Sequence, residues 1–420
     1  MNKKIVITGI TDTLNNGCWA MAEATMNLFR QELKGRVEFF YLTDCNSKDA
    51  IRLAGENRHF FYMPWTKINI PKIRFIYSYF SAIVIFLNCL LIRHFKINIF
   101  YRKFCEILKN ADLVIDLSGD SISCDYNDYS VFFQIIPLLY AHILRIPYVL
   151  YAQSIGPFKS NYLYRIVKLV LRKAPLIIAR EEITISLLEQ SDIRDNVKLG
   201  ADSAFLLRPA KEDITKISEQ HNITFSKRKY IAVSMSSLIS KYFHDTSMTA
   251  ELFSEIIAEL LDYIIENYNL DIIFIPHVMK GTKNDIHSSY EVIEKMQHKQ
   301  NAILIKETYN GAQFKAIIGE CNGLITCRMH AAIAAVSQCV PTLIFAYNHK
   351  TEGILGEMLN QKDLIIDIRD ISADVFKRLL YQKSRHLIEK REDIKKKLTA
   401  PIVKMQDMAR DNFFLCKDLL

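Results

Sequence analysis

Short apolar runs rich in β-branched and aromatic residues alternate along the chain with longer stretches of helical periodicity. This alternation predicts βαβ units and parallel sheets. A first series of strands is expected at residues 4–9, 37–42, 113–117, 148–152 and 176–179. A second series is expected at residues 230–234, 271–276, 302–305, 323–326, 341–345 and 364–366. The pattern therefore predicts an α/β protein with two tandem doubly wound, Rossmann-like domains.

A polar stretch without a strand pattern, residues 211–229, separates the two series. We therefore predict an N-terminal domain at residues 1–208, a linker region at 209–229 and a C-terminal domain at 230–398. Residues 399–420 have the pattern of a charged C-terminal helix, and we expect Pro401 to interrupt the helical pattern of this end of the chain. That helix is expected to pack on the N-terminal domain. A length of 420 residues accommodates two domains of ordinary size.

Composition narrows the class of protein. Half of the residues are hydrophobic and 24% are charged, which is typical of a globular chain and not of a disordered one. The nine cysteines form no CxxC pair, so we predict a reduced compartment and no metal site. The first residues lack the long apolar run of a secretory signal, and a cytoplasmic location is expected.

The formal net charge of +8 is concentrated in one segment. Between Glu56 and Glu106 there is no acidic residue, while eight lysines and arginines occur there. The rest of the chain has equal numbers of acidic and basic residues. Because a nucleic-acid binder carries basic residues on several elements, no nucleic-acid partner is expected.

Residues 75–92, within this basic apolar insert at 57–105, run for 18 residues without a charge. Three interpretations follow: a buried helix of the first domain, a helix lying on an anionic membrane surface, or a membrane crossing. A crossing would place strands of one sheet on opposite sides of the membrane, which disfavours it. Peripheral contact through residues 72–103 with the inner face of the cytoplasmic membrane is the partner that this segment suggests.

Polar residues gather where predicted strands end, which is where open parallel sheets bind ligands. In the first half these are Asn15, Asn16, Gly17, Ser118, Gly119, Asp120, Asp125, Gln153 and Arg180. In the second half they are Ser234, Ser236, Ser237, His277, Arg328 and His330. Asp120 and Asp125 could bind a cation, act as a base or hold a sugar hydroxyl, and they could equally cap helices.

The sequence GLITCRMHAAIAA carries an apolar strand into a helix of small residues, with Arg328 and His330 in the turn. A helix N-terminus and an arginine both favour a phosphate or carboxylate, and histidine can transfer protons near neutral pH. The structural alternative is an arginine paired with a nearby acid and a histidine satisfied within its loop. Motifs for P-loop hydrolysis, the serine-hydrolase elbow, zincins and dinucleotide binding are absent from the sequence.

Taken together, several segments resemble the polysaccharide pyruvyl transferase family. They are NNG after the first strand, ADLVIDLSGDSISCDY, YAQSIGPF, AREEITISLLEQ, GADSAF and TCRMHAAIAAVSQCVPTLIFAYNHKTEG, which together span about residues 4–360. The resemblance implies a GT-B-type arrangement of the two domains. It also implies transfer of a pyruvyl group from phosphoenolpyruvate to sugar hydroxyls, with formation of a ketal and release of phosphate.

By the same resemblance, catalytic roles are expected for His330, Arg328 and Asp120. The resemblance implies that the C-terminal domain binds phosphoenolpyruvate as co-substrate, and that no further cofactor takes part. Side chains expected to contact this donor are Arg180, Arg328, His277, Ser234 and Lys350. The N-terminal domain is expected to bind a glycan or lipid-linked oligosaccharide acceptor through Asn16, Gly17, Asp120 and Gln153.

Two departures from the family pattern bear on the acceptor. Cys18 and Trp19 stand where many members have an acidic residue, and Ser118, Gly119 and Asp120 stand where many have a run of glycines. Two alternatives stay open. One is a glycosyltransferase of the same architecture with a nucleotide-sugar donor, whose diphosphate the helix N-terminus beside Arg328 would hold. The other, which the departures at Cys18 and Asp120 suggest, is an inactive homologue that acts in polysaccharide assembly.

Overall fold

The computed structural model describes residues 2–10, 15–43, 58–66, 71–159, 162–279 and 284–420. The chain divides into two compact units. The first comprises Met1–Thr13, Met21–Ser203 and Asp407–Leu420, and the second comprises Leu14–Ala20 and Ala204–Gln406. Each unit is organised around its own parallel sheet.

The first unit contains a seven-stranded sheet of order β3-β2-β1-β4-β5-β6-β7. Its strands are β1 Lys3–Thr8, β2 Val37–Thr43, β3 Arg58–Tyr62, β4 Leu113–Asp116, β5 Tyr148–Gln153, β6 Leu176–Ala179 and β7 Val197–Leu199. All pairings are parallel, and the central β1 pairs with β2 and β4. The four residues of β4 and of β6 are all buried, as expected for a sheet that helices cover on both faces.

The second unit contains a six-stranded parallel sheet of order β10-β9-β8-β11-β12-β13. Its strands are β8 Tyr230–Ser234, β9 Asp271–Phe274, β10 Ala302–Leu304, β11 Gly323–Thr326, β12 Thr342–Ala346 and β13 Ile365–Asp367. The strand order reverses beside β8, which pairs with both β9 and β11. Ligands of doubly wound sheets bind at such a reversal, beyond the carboxyl ends of the strands.

Helices connect the strands in both units. They are α1 Asn16–Glu32, α2 Pro71–Phe95, α3 Arg102–Lys109, α4 Asp128–Leu144, α5 Tyr162–Lys173, α6 Glu182–Glu189, α7 Ile214–Gln220, α8 Ala250–Tyr268, α9 Asp285–Lys295, α10 Gly311–Gly319, α11 Met329–Val336, α12 His349–Thr351, α13 Ala373–Glu389 and α14 Arg391–Cys416. A π-helix, Glu352–Met358, continues α12. Short 3₁₀ segments lie at Pro64–Thr66, Ser203–Leu206, Lys211–Asp213, Ser237–Tyr242, Lys299–Asn301, Lys362–Leu364 and Lys417–Leu419.

The predicted fold class is confirmed, because two tandem parallel α/β sheets are present. Every predicted strand is observed within about two residues of its expected bounds. Two strands were missed. The sequence RHFFY of β3 lies in the stretch that we interpreted as an insert, and β7 is a three-residue edge strand without a fully buried residue.

The region predicted as a linker is instead part of the second unit. Residues 214–220 form α7, and Ile217 and Ile223 are buried in the core of that unit beside Phe314 and Leu324. Its polar composition concealed this packing, because only Ile217 of the helix and Ile223 just after it are buried in the core.

The C-terminal helix also differs from the prediction. Pro401 lies inside the continuous helix α14 and does not interrupt it. Proline removes a single backbone donor, and a long helix with buried residues on both sides of that position can accommodate the loss. The final residues pack within the first unit: Asn412 donates a hydrogen bond of 2.7 Å from Nδ2 to the Ala201 carbonyl oxygen, and Phe413 packs edge-on against Phe29.

The charge-free segment lies in α2, within the first unit. Residues 57 and 67–70 of the predicted insert lie outside the described part of the chain. By length and composition, Ile73–Phe95 could cross a membrane, and 39% of its most apolar window is buried against the rest of the protein. The helix is therefore neither wholly a core helix nor free of the core.

Candidate functional site

Three of the predicted site residues meet at the strand reversal of the second sheet. Ser234 is the last residue of β8, His277 follows β9, and Arg328 follows β11. Because β9, β8 and β11 are adjacent and parallel, their carboxyl ends meet at one edge of the sheet. Ser234 is fully buried and His277 almost so, whereas the Arg328 side chain keeps 13% of its surface exposed.

Arg328 is held by a carboxylate that the sequence analysis did not single out. Its Nε donates to Asp285 Oδ2 at 3.1 Å, and its Nη2 donates to Oδ1 at 2.5 Å. Asp285 opens α9 and also accepts the backbone N–H groups of His277 and Val278. Burial opposes the charge, but Asp285 outweighs it and raises the pKa of Arg328. The paired arginine that we considered as the structural alternative is thus present, and Nη1 donates to no described residue.

His277 and Ser234 present buried polar atoms without partners. Neither ring nitrogen of His277 has a hydrogen-bond partner among the described residues, and neither does the hydroxyl of Ser234. Burial, with smaller contributions from His330 and Arg328, lowers the pKa of His277 to about 3, so the ring is neutral at pH 7. Buried polar groups are nearly always hydrogen-bonded in folded proteins. These atoms therefore need a partner from outside the described residues, either a water molecule or a ligand.

His330 lies in the first turn of α11, against the start of α1. A Cβ atom added to Gly17 would come within 2.4 Å of His330 Nδ1, so the absence of a side chain at Gly17 makes room for the ring. Asn16 donates from its backbone and from its side chain to the His277 carbonyl oxygen, at 3.1 and 3.3 Å. The beginning of α1 is thus fastened to the loops that carry both histidines.

This placement corrects the predicted grouping. Asn16 and Gly17 were expected to lie in the N-terminal domain beside Asp120 and Gln153. They belong to the second unit and contact His277 and His330. The prediction followed sequence order and was wrong here. These residues belong to the second unit, although residues of the first unit precede and follow them along the chain. Lys350, in α12 after β12, also belongs to the second unit and is half-buried.

A second polar cluster lies at the carboxyl edge of the first sheet, around a carboxylate that the sequence analysis passed over. Asp116, the last residue of β4, is fully buried and accepts hydrogen bonds from Thr8, Ser118, Gln134 and Gln153. Burial raises its pKa, and the four donors act in the opposite direction. Gln153 has no exposed surface and spends its amide on Asp116 and Ser118. It therefore braces the loop and is not open to an acceptor.

Arg180 is also buried within the first unit. It follows β6, has no exposed surface, and pairs with Asp202 at 2.6 Å, while its Nε donates to Ser154. Its Nη2 has no hydrogen-bond partner among the described residues. Gly119 lies next to this arginine, because a Cβ added there would be 3.9 Å from Nη1. The backbone of Gly119 has a positive φ. Of this predicted donor contact, the Nη2 amino group with its two N–H bonds is left unused by the described residues.

Asp120 lies at the surface of the same loop. Its carboxylate accepts a hydrogen bond of 2.9 Å from the Tyr126 hydroxyl. Asp125 is exposed in the following turn. Among the described residues, no group of three or more His, Cys, Asp and Glu side chains is arranged to hold a metal ion.

The three carboxylates that the prediction missed left different signals. Asp116 interrupts an apolar strand, which is a recognisable sign of a satisfied buried charge. Asp202 lies in the segment GADSAF, which resembles the family pattern but does not show that its acid pairs with Arg180. Asp285 gave no local signal, because its partner Arg328 is 43 residues away.

Comparison with known proteins places the chain. The family model described as "Polysaccharide pyruvyl transferase" matches residues 17–349. A putative UDP-N-acetylglucosamine 2-epimerase from Listeria monocytogenes has a similar structure, with a TM-score of 0.61 at 10% identity over 98% of this chain and 94% of that one. A glycosyltransferase from Rickettsia africae gives a TM-score of 0.57 at 12% identity, covering 100% and 98%. At such identities the two structures show the fold alone, which is of the GT-B type. Because the family model covers most of its length, the chain belongs to the polysaccharide pyruvyl transferase family.

Proposed function

We propose that the protein transfers a pyruvyl group from phosphoenolpyruvate to two hydroxyls of a sugar in a glycan or lipid-linked oligosaccharide. The observation that carries this proposal is the cluster of Ser234, His277 and Arg328. Polar atoms of Ser234 and His277 have no partner among the described residues, and Arg328, fixed by Asp285, precedes a helix N-terminus. Phosphoenolpyruvate carries a phosphate and a carboxylate, and both are acceptors for such groups.

Within the second unit, this cluster has a graded set of donors for an anion. Asp285 fixes the guanidinium of Arg328 through Nε and Nη2, which leaves Nη1 for an oxygen of the donor substrate. The Ser234 hydroxyl and a ring N–H of neutral His277 supply further hydrogen bonds. Asp285 offsets much of the positive charge of Arg328. The positive end of the α11 dipole adds a further attraction for the anion.

The reaction needs proton movements that fit His330. A proton adds to the methylene carbon of phosphoenolpyruvate, a sugar hydroxyl attacks the neighbouring carbon, and the C–O bond to phosphate breaks. A second hydroxyl then closes the ketal. Of the two protons that the hydroxyls lose, one balances the new methyl group and the other leaves on phosphate. His330, in the turn beside Arg328, is the proposed general acid or base for one of these transfers.

Thermal stabilisation by phosphoenolpyruvate tests donor identity without a known acceptor. A ligand at 100 times its Kd adds about 2.7 kcal/mol of stability, which raises Tm measurably. Ser234→Ala is the sharpest variant, because its hydroxyl serves no described residue and its loss costs no internal hydrogen bond. We expect affinity to fall by about 10- to 100-fold, as for the loss of a hydrogen bond to a charged group.

Arg328→Lys is the second variant, because it keeps a positive charge for buried Asp285 while removing the guanidinium fork. Arg385→Ala is the control. It removes an exposed ion pair on α13 and should leave the Tm shift unchanged. Stabilisation by a nucleotide sugar and not by phosphoenolpyruvate would favour the glycosyltransferase alternative. If phosphoenolpyruvate binds as proposed but no phosphate is released over any envelope glycan fraction, the inactive-homologue alternative gains support.

A further inference from the structure

The helical layer of the first unit exposes an apolar stripe on α2. Ile73, Ile76, Phe80, Ile83 and Leu87 are between 50% and 72% exposed, and their spacing of three and four residues places them on one face of the helix. At the last residue of α2 and beyond it, the exposed apolar residues continue with Phe95, Ile97, Ile99 and Phe100. A contiguous patch of this kind on a soluble domain marks an interaction surface.

A second stripe follows the same pattern on α5. Tyr162 and Leu169 are 81% and 53% exposed, and Ile166 lies between them on the same face. Both α2 and α5 pack against α4 and share one hydrophobic core with it. The two stripes therefore belong to one side of the sheet.

Basic residues border both stripes and acidic residues are missing from both segments. Lys96 and Arg102 are exposed beside the end of α2, and Arg165 and Lys173 are exposed on α5. As in the segment between Glu56 and Glu106, residues 129–180 contain no aspartate or glutamate. An apolar stripe with a basic border is complementary to an anionic lipid surface, where acyl chains receive the apolar side chains and headgroups receive the cations.

The opposite face of α2 is bound into the protein. The Tyr140 hydroxyl donates to the Ala82 carbonyl oxygen at 2.7 Å, and the Asn88 side chain bonds to the backbone of Ile99 and Phe100. Ser78 likewise donates to the Trp65 carbonyl oxygen. To cross a bilayer, α2 would have to break these buried contacts. It is placed to lie on a membrane and not to span it.

We propose that this face, formed by the stripes of α2 and α5, docks the protein on an anionic membrane surface. A second copy of the chain is the less suitable occupant, because a two-fold interface would set the basic border of one copy against the same border of the other. Docking is independent of the proposed reaction, so either proposal can fail without the other.

Co-sedimentation with vesicles tests this docking. The wild type should bind vesicles that contain phosphatidylglycerol and should bind pure phosphatidylcholine vesicles at least about 10-fold more weakly, because the basic border contributes. The triple variant Ile76→Ser, Phe80→Ser, Ile83→Ser should lose about 10-fold or more of the binding to anionic vesicles. Lys96→Glu with Arg102→Glu should lose a similar factor, and this loss should shrink at high salt.

Phe414→Ser with Val403→Ser is the matched control, because these exposed apolar residues lie on α14 and belong to neither α2 nor α5. The control should bind vesicles like the wild type. Equal binding by the triple variant, or equal binding to both kinds of vesicle, would overturn the proposal. So would a dimer of the wild type, seen by sedimentation without lipid, that the triple variant converts to a monomer. The Tm of each variant checks that it is folded.

Discussion

Adding one methyl group at Gly17 should slow the proposed reaction by moving His330, the proposed acid or base. The new Cβ would lie 2.4 Å from Nδ1, 2.6 Å from Cγ and 2.8 Å from Cβ of the histidine, whereas ordinary contacts begin at 3.4 Å. Relief of this overlap requires a shift of about 1 Å, and misplacement of a catalytic group by that distance costs about 100-fold in rate. Alanine suits a helix better than glycine, by about 1 kcal/mol, so the loss of activity should not come from a failure of α1 to form.

The first assay measures the phosphate released from phosphoenolpyruvate when a lipid-linked glycan fraction is supplied as the acceptor. The second measures the Tm shift that phosphoenolpyruvate produces. Gly17→Ala should lose about 100-fold of the rate and keep most of the Tm shift, because Ser234 and Arg328 are untouched. Cys18→Ala is the neighbouring control, since it adds no atom, and it should keep the rate.

A double-mutant cycle separates this explanation from a general disturbance. If Gly17→Ala acts through the histidine, it should cause little further loss in a His330→Ala background. Full activity of Gly17→Ala would refute the reasoning, and so would a second loss of about 100-fold in the His330→Ala background.

Two predictions concern stability. Burial lowers the pKa of Lys315 to about 7, and within the described part of the chain its Nζ donates only to the Ala204 carbonyl oxygen, at 3.4 Å. Between that value and its ordinary pKa the unfolded chain binds more protons, so stability should rise from pH 7 to pH 10. Lys315→Met should remove this slope and raise the urea midpoint at pH 7. For His277, with a pKa of about 3, protons again bind the unfolded chain preferentially, here between pH 3 and pH 6.5. Stability should fall by about 1.4 kcal/mol per pH unit on acidification. In urea titrations at pH 6.5 and 4.5, the variant His277→Gln should lose less stability than the wild type; equal losses would contradict the assignment.

The sheets could be predicted because a strand buried on both faces appears in the sequence as a short apolar run. Positions at strand ends were predictable for the same reason, and Ser234, His277 and Arg328 do lie together at one sheet edge. The pairings could not be predicted. Arg328 pairs with Asp285, and Arg180 pairs with Asp202. The local sequence pattern around an arginine does not show which acidic residue it will pair with.

The sequence also could not predict which of the two units each segment of the chain would join. Local periodicity assigns each element its type but does not say which core receives it. The first turn of α1 has the same helical pattern as the rest of that helix, yet residues up to Ala20 belong to the second unit and those from Met21 to the first. The exposed stripe of α2 is a similar case, since an uncharged run of 18 residues does not reveal which of its faces is covered.

The placement of Asn16 and Gly17 has a consequence for dissecting the gene. A fragment cut at the boundary between the two strand series would deliver the second sheet without the residues that fasten the His277 loop and make room for His330. Such a fragment would also lose α14 from residue 407 onward if it were trimmed to its own unit. Chimeras that exchange one of the two sheets between relatives should therefore carry residues 15–20 together with the C-terminal half. The two halves of this chain cannot be exchanged by recombination at a single point, because this would separate His330 from Gly17, the glycine that makes room for it.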